Sequence, residues 1–227
     1  GAPLTPLTDN MAKEGYLWNG WSGLPKMMPD KDVVVTGFYT TDPNTQYTVK
    51  HWQENLEDEG YTEVPNSEQT LTGATGTLTH AEANIYSGFT AQESEQETIA
   101  ADGSTVVNIY YDRNTHDITY QITGEYFTDD EYKVIEDVKY GASLSLIQDN
   151  MEKEGYVWSN WTGLPETMPD ENVTVTGSYS AGTDTQYTVN HHLQNVDDDD
   201  YTLAEGSPVT LTGVTGELTN AEANIYS

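Results

Sequence analysis

The chain has 227 residues, with 38 acidic and 8 basic side chains and a formal net charge of −30. A surface that negative repels phosphate, which argues against nucleic acid and anionic membranes as partners, and the absence of cysteine excludes thiol chemistry and disulfide staples. Hydrophobic residues make up 35% of the chain and include 16 Tyr and 5 Trp, a set that suits several small modules with aromatic cores better than one thick domain.

An internal repeat organises the chain. Residues 1–87 align without a gap to residues 141–227, at a constant offset of 140, and 49 of the 87 aligned positions are identical. Asn10-Met-Ala-Lys-Glu-Gly-Tyr16 meets Asn150-Met-Glu-Lys-Glu-Gly-Tyr156, and Ala81-Glu-Ala-Asn-Ile-Tyr-Ser87 recurs whole at 221–227. Short polar or charged stretches at 41–44, 113–116 and 180–184 divide the repeat as linkers should. The order is then a partial module B (1–41), a module A (45–112), a module B (117–180) and a partial module A (185–227).

In chain order, the partial B carries Tyr16, Trp18 and Trp21 ahead of a strand-like run ending near Tyr39. Module A opens on Gln46-Tyr-Thr-Val-Lys-His-Trp52, an alternating strand. A turn-rich acidic segment follows, then Gln69-Thr-Leu-Thr72 before Gly73 and Gly76, and the module closes on the strand Thr105-Val-Val-Asn-Ile-Tyr-Tyr111. A second small β-grasp-like or sandwich-like sheet is expected there.

Module B predicts strands at 118–122 and 132–138 and a helix over 144–154, where Leu144, Ile147 and Met151 recur at helical spacing and Gly155 suits a C-cap. Strands at 156–161 and 173–179 complete it. Strand, strand, helix, strand, strand is the order of a β-grasp. The expected fold class is mostly β with short helices (α+β), as tandem small β-grasp, ubiquitin-like modules in an elongated array. The partial end modules lack strands that would close their sheets, so a longer parent is expected; either a signal and anchor lie outside this segment, or the protein is not secreted.

Module B resembles the Listeria–Bacteroides repeat, or internalin B-repeat, of bacterial surface proteins. Val138-Lys-Tyr-Gly141, Glu154-Gly-Tyr156, Trp158, Trp161, Met168-Pro-Asp170 and Val173-Thr-Val-Thr176 through Tyr179 carry the likeness. The usual Gly-Trp pair stands as Gly20-Trp21 but is Asn160-Trp161 in the second copy. Module A is similar, more loosely, to a mucin-binding-protein repeat, through Tyr47-Thr-Val49, Leu71-Thr-Gly73 to Gly76, and Val107-Asn-Ile-Tyr-Tyr111. The resemblance implies β-grasp modules strung on a cell-surface protein, extracellular or in the cell wall, with neighbouring repeats and a host glycoprotein or glycan as partners.

Catalysis finds little support. His51 recurs as His191, but His80 becomes Asn220, His116 lies in a linker, and His191 and His192 point to opposite faces of a strand, the wrong geometry for joint metal ligation. The acidic runs Glu57-Asp-Glu59, Thr128-Asp-Asp-Glu131 and Asp197-Asp-Asp-Asp200 lack the alternating ligand pattern of a calcium loop. No cofactor is expected, and weak calcium binding is the alternative reading of those loops. Lys50 and Asn108, on the first and last strands of module A, are a candidate pair for an isopeptide bond, but the repeat replaces Lys50 by Asn190, so the bond cannot be general to the repeat. The tryptophans remain. Their spacing of three predicts that the members of each pair, Trp18 with Trp21 and Trp158 with Trp161, lie on opposite strand faces, one in the core. Trp52, Trp18 and Trp158 are the candidate ligand contacts, and the function expected is a non-enzymatic adhesin segment binding by repeated weak contacts, or a structural spacer.

Overall fold

The computed structural model describes residues 1–226, which form strands and irregular segments and no helix. The chain divides into two compact units, Gly1–Asn114 and Thr115–Ser227. Each unit is thus a B module followed by an A module.

The first unit contains β1 (Tyr16–Ser22), β2 (Thr36–Thr41), β3 (Thr45–Glu54), β4 (Tyr61–Glu63), β5 (Gln69–Gly73), β6 (Phe89–Ala91) and β7 (Val106–Arg113). β1 and β2 pair alone as an antiparallel ribbon. The remaining strands form the sheet of module A. β3 pairs in parallel with β7, β6 lies on the far edge of β7, and the short β4 and β5 share the other edge of β3. Alternation along β3 and β7 turns Tyr47, Val49, His51, Val107, Ile109 and Tyr111 to one face, where Ala81 and Ile99 of the long crossover cover them. That crossover is extended. Ile99 N–H donates to Thr77 O at 2.9 Å, Gly76 N–H donates to Ile99 O at 2.9 Å, and Thr79 N–H donates to Glu97 O at 2.8 Å.

The second unit contains β8 (Thr115–Thr123), β9 (Asp129–Lys139), β10 (Tyr156–Trp158), β11 (Val173–Ala181), β12 (Thr185–Val189), β13 (His192–Gln194), β14 (Tyr201–Leu203) and β15 (Val209–Gly213). Module B is a four-stranded sheet in the order β10-β11-β8-β9, with β11 and β8 parallel at its centre. Both complete modules therefore place their first and last strands side by side in parallel. The core of module B gathers Ile118, Tyr120, Ile122, Met151, Trp161, Met168, Val173, Val175 and Tyr179. β12 with β15 and β13 with β14 remain two-stranded ribbons.

The helix expected over 144–154 is not formed. Leu144 N–H donates to Glu166 O at 2.9 Å, and the Asn150 side chain accepts the Glu152 N–H at 2.9 Å. Serine, aspartate and asparagine offer the backbone such local partners in place of a helical ladder. Leu144, Ile147 and Met151 still face the core, from an extended crossover. The first copy repeats the arrangement: Asn10 accepts from Ala12 N–H, and Tyr39 donates its hydroxyl to Met11 O as Tyr179 does to Met151 O.

Each B module is fastened to the A module that follows by the same backbone bonds. Asp42 N–H donates to Gly15 O and Thr75 N–H donates to Asp42 O, at 2.8 and 3.0 Å. In the second unit Gly182 N–H donates to Gly155 O and Thr215 N–H donates to Gly182 O, at 2.8 and 2.9 Å. Asp42 and Gly182 differ without consequence, because only main-chain atoms take part. Gly15 and Gly155 are held at positive φ, and a Cβ at Gly15 would come within 2.6 Å of Ala101 Cα. The Thr45 and Thr75 hydroxyls bond each other beneath this joint, as do those of Thr185 and Thr215.

Candidate functional site

The outward face of the module A sheet follows from the same alternation that builds its core. Opposite parity puts Lys50 and Trp52 of β3 outward, with Asn108, Tyr110 and Asp112 of β7 beside them. The parallel register sets Lys50 opposite Asn108 and Trp52 opposite Tyr110. β4 adds Tyr61 and Glu63, two residues apart and hence on one face.

Three rings meet on this face. Trp52 stacks on Tyr110 with centroids 6.3 Å apart and planes inclined by 26°, and Tyr61 meets Tyr110 edge-on at 5.1 Å. Tyr110 is 37% exposed. Polar groups fix the rings. Trp52 Nε1 donates to Asn108 Oδ1 at 2.9 Å, and Tyr61 donates its hydroxyl to Asp112 Oδ1 at 2.6 Å. Gln92 Nε2 donates both to that hydroxyl and to Asp112. The bond to Asp112 raises the Tyr61 hydroxyl above its ordinary range, because ionisation would set two anions together. Lys50 Nζ lies 3.2 Å from Glu63 and 3.3 Å from Glu68, whose hydrogen bonds raise its pKa and keep it protonated. A charged, carboxylate-bound Lys50 lacks the free amine that an isopeptide bond with Asn108 would need. The arrangement offers apolar ring surface rimmed by amides and carboxylates, which suits stacking and hydrogen bonding to a polar ligand with one apolar side.

Behind the face lies a buried polar network. His51 Nδ1 is 2.7 Å from the Tyr111 hydroxyl and its Nε2 is 3.2 Å from Asn84 Nδ2, while the Tyr111 hydroxyl accepts from Asn84 N–H at 2.7 Å. Burial lowers the His51 pKa. This network ties β3, β7 and the crossover together and does not reach the open face.

Trp18 and Trp158 are placed differently from Trp52. Trp158 packs edge-on against Trp161 at 4.8 Å and tilts over Tyr179 at 4.8 Å, and Trp18 does the same with Trp21 and Tyr39, at 5.0 Å each. The expectation that each pair splits across two faces is thereby corrected. β10 ends at Trp158 and the chain turns at Asn160, with φ +71°, while in the first copy the register shifts between Trp18 and Trp21 around Gly20, with φ +85°. Asparagine tolerates the left-handed region where glycine stands in the other copy. Trp158 lies across Gly177, where a Cβ would come within 2.2 Å of its ring, and also borders a groove of about 810 Å³ with Leu146, Ile147 and Met151. Trp161 is 8% exposed.

The acidic loops close on themselves. Asp58 Oδ1 accepts from Asn55 Nδ2 and Gly60 N–H, and Asp198 accepts in the same way from Asn195 and Asp200 N–H. The bond from Asn55 holds Asp58 below the usual carboxylate range. Among the described residues no three His, Asp or Glu side chains converge as metal ligands. His80 and His192 are exposed, His191 is half-buried, and His116 pairs with Asp170 at 2.9 Å.

Sequence reasoning singled out Trp52 but not Tyr61, Tyr110, Gln92 or Asp112. Parity along the 105–111 strand sets Tyr110 and Tyr111 on opposite faces. The partner of each required the β3–β7 register. Searches against protein families and curated proteins return no match for this sequence.

Proposed function

We propose that this chain is a repeat segment of a bacterial cell-surface adhesin that binds host glycan, mucin or matrix protein through repeated weak contacts, without catalysis. One observation carries the reading: the Trp52–Tyr110–Tyr61 cluster on the outward face of module A, with Asn108, Gln92 and Asp112 as hydrogen-bonding neighbours. Large rings left partly in water on the outward face, while Tyr47 and Tyr111 of the same two strands are buried beneath it, fit a binding surface. Repetition along a longer protein would convert weak single sites into avidity.

The modules are read as β-grasp variants in which an extended crossover replaces the helix, because their two central strands are parallel and each is flanked by an antiparallel neighbour. On this reading module B resembles the Listeria–Bacteroides repeat and module A a mucin-binding-protein repeat, and the segment acts outside the cell. Calcium is at most a weak ligand of the acidic loops.

A second reading, a spacer with no ligand of its own, is favoured by the identical main-chain bonds that fasten B to A in both units. Binding of the chain to immobilised mucin and a glycan array separates the two. Saturable binding that Trp52→Ala weakens by about tenfold or more, the effect of losing a central aromatic contact, supports the adhesin. Absence of binding at high micromolar concentration supports the spacer.

A further inference from the structure

We infer that the ligand of the module A face is an uncharged glycan, a pyranose chain without sialic acid or sulfate; this rests on the glycan-binding reading above. The face selects by charge. Asp112, Glu63 and Glu68 surround the rings, and the cation of this face, Lys50, is already bound to the two glutamates. Among the described residues no other cation stands on this face to receive a sugar carboxylate or sulfate, and the whole chain adds a net charge of −30 against it.

The neighbouring groups complement sugar hydroxyls instead. Asp112 and Glu63 accept hydrogen bonds from hydroxyls, and the Asn108 and Gln92 amides both donate and accept. The rings of Trp52 and Tyr110 present flat surface to the C–H side of a pyranose, which carries no charge to be desolvated. An aromatic peptide would also find stacking partners here, and its N–H groups would find the acceptors of Asn108 and Asp112, so the test includes deglycosylated mucin.

The second A copy supplies an internal control. His192 replaces Trp52 at the position facing Leu203, where the first copy has Glu63, so the ring and a carboxylate acceptor are both absent there. Trp52→His therefore installs a residue that the same strand position accommodates within this chain.

The test titrates the full chain, isotope-labelled at the tryptophan indoles, with a neutral oligosaccharide of galactose and N-acetylglucosamine and with its sialylated and sulfated forms. The expected result is a saturating shift of the Trp52 indole resonance by the neutral sugar. Affinity for the charged forms should be about tenfold lower or worse at low salt, with the gap narrowing as salt screens the face. Trp52→His should abolish the shift while hydrogen exchange in β3 is unchanged. Equal or tighter binding of the charged forms at Trp52 overturns the inference and leaves the glycan-binding reading intact. Neutral binding that neither moves Trp52 nor suffers from Trp52→His overturns the site. Capture of deglycosylated mucin, with no sugar bound, overturns both and assigns the face to a peptide.

Discussion

The two A modules share the run Thr-Gln-Tyr-Thr-Val and pair it in the same register, Thr45 with Gly73 and Thr185 with Gly213, yet they bury it very differently. Tyr47, Val49 and His51 are 3%, 0% and 0% exposed, whereas Tyr187, Val189 and His191 are half-buried. In the first copy β7 lies beside β3 and carries Val107, Ile109 and Tyr111 into the same core. In the second copy β12 pairs with β15 alone among the described residues, with no counterpart of β7 beside it. The B modules repeat the contrast, since Val175 and Trp161 are buried while Val35 and Trp21, with no counterpart of β8 beside β2, are half-buried. Identical local sequence fixes the strand and its hairpin partner. The parallel neighbour, distant in sequence, decides whether that strand has a core to face.

The sharpest test of this contrast is truncation of equivalent tryptophans. Trp161→Ala should cost about 3–5 kcal/mol, and Trp21→Ala only about 1–2 kcal/mol, because its ring already meets water. Denaturant unfolding followed by hydrogen exchange in β11 and β2 reads the two costs separately; equal costs would break the comparison.

A smaller effect comes from the glycines beneath the rings. A methyl at Gly177 would lie 2.2 Å from Trp158 Cη2 and 3.1 Å from Trp161, so Trp158 must shift against a buried Trp161, at about 1–3 kcal/mol. Gly37→Ala creates the same clash with Trp18. Trp18 has no complete sheet behind it and turns outward at lower cost. Thermal unfolding of the two variants should rank Gly177→Ala as the more damaging.

The smallest effect is one of pH. His51 is buried and its pKa is lowered, so the unfolded chain binds the proton more readily than the folded one. Stability of the complete A module is therefore fully present above the unfolded value of about 6.5 and falls as the pH drops below it toward the folded pKa. The protection of the Val107 and Ile109 amides, corrected for the slower intrinsic exchange in acid, should be lower at pH 5 than at pH 7.5, and His51→Gln should flatten that dependence. A His51→Gln chain with an unaltered pH profile would assign the sensitivity to other groups.

Much of this architecture is legible in the residues. The offset of 140 gives the module order, and alternation locates the strands at 46–52, 105–111, 118–122 and 173–179 and the face that each residue occupies. Trp52 stands out because its repeat partner is histidine. These features are local or periodic, and a strand's period of two survives whatever lies beside it. Tertiary structure decided the rest. Leu144, Ile147 and Met151 satisfy helical spacing, yet bonds to Glu166 and within Asn150-Met-Glu152 take the backbone elsewhere. The left-handed turn at Asn160 brings Trp158 and Trp161 together against the strand period. Tyr61, Gln92, Tyr110 and Asp112 join Trp52 only because β3 and β7 pair in parallel, in one register, across more than fifty residues of chain. That pairing depends on which distant core the strands share, and no local periodicity encodes it.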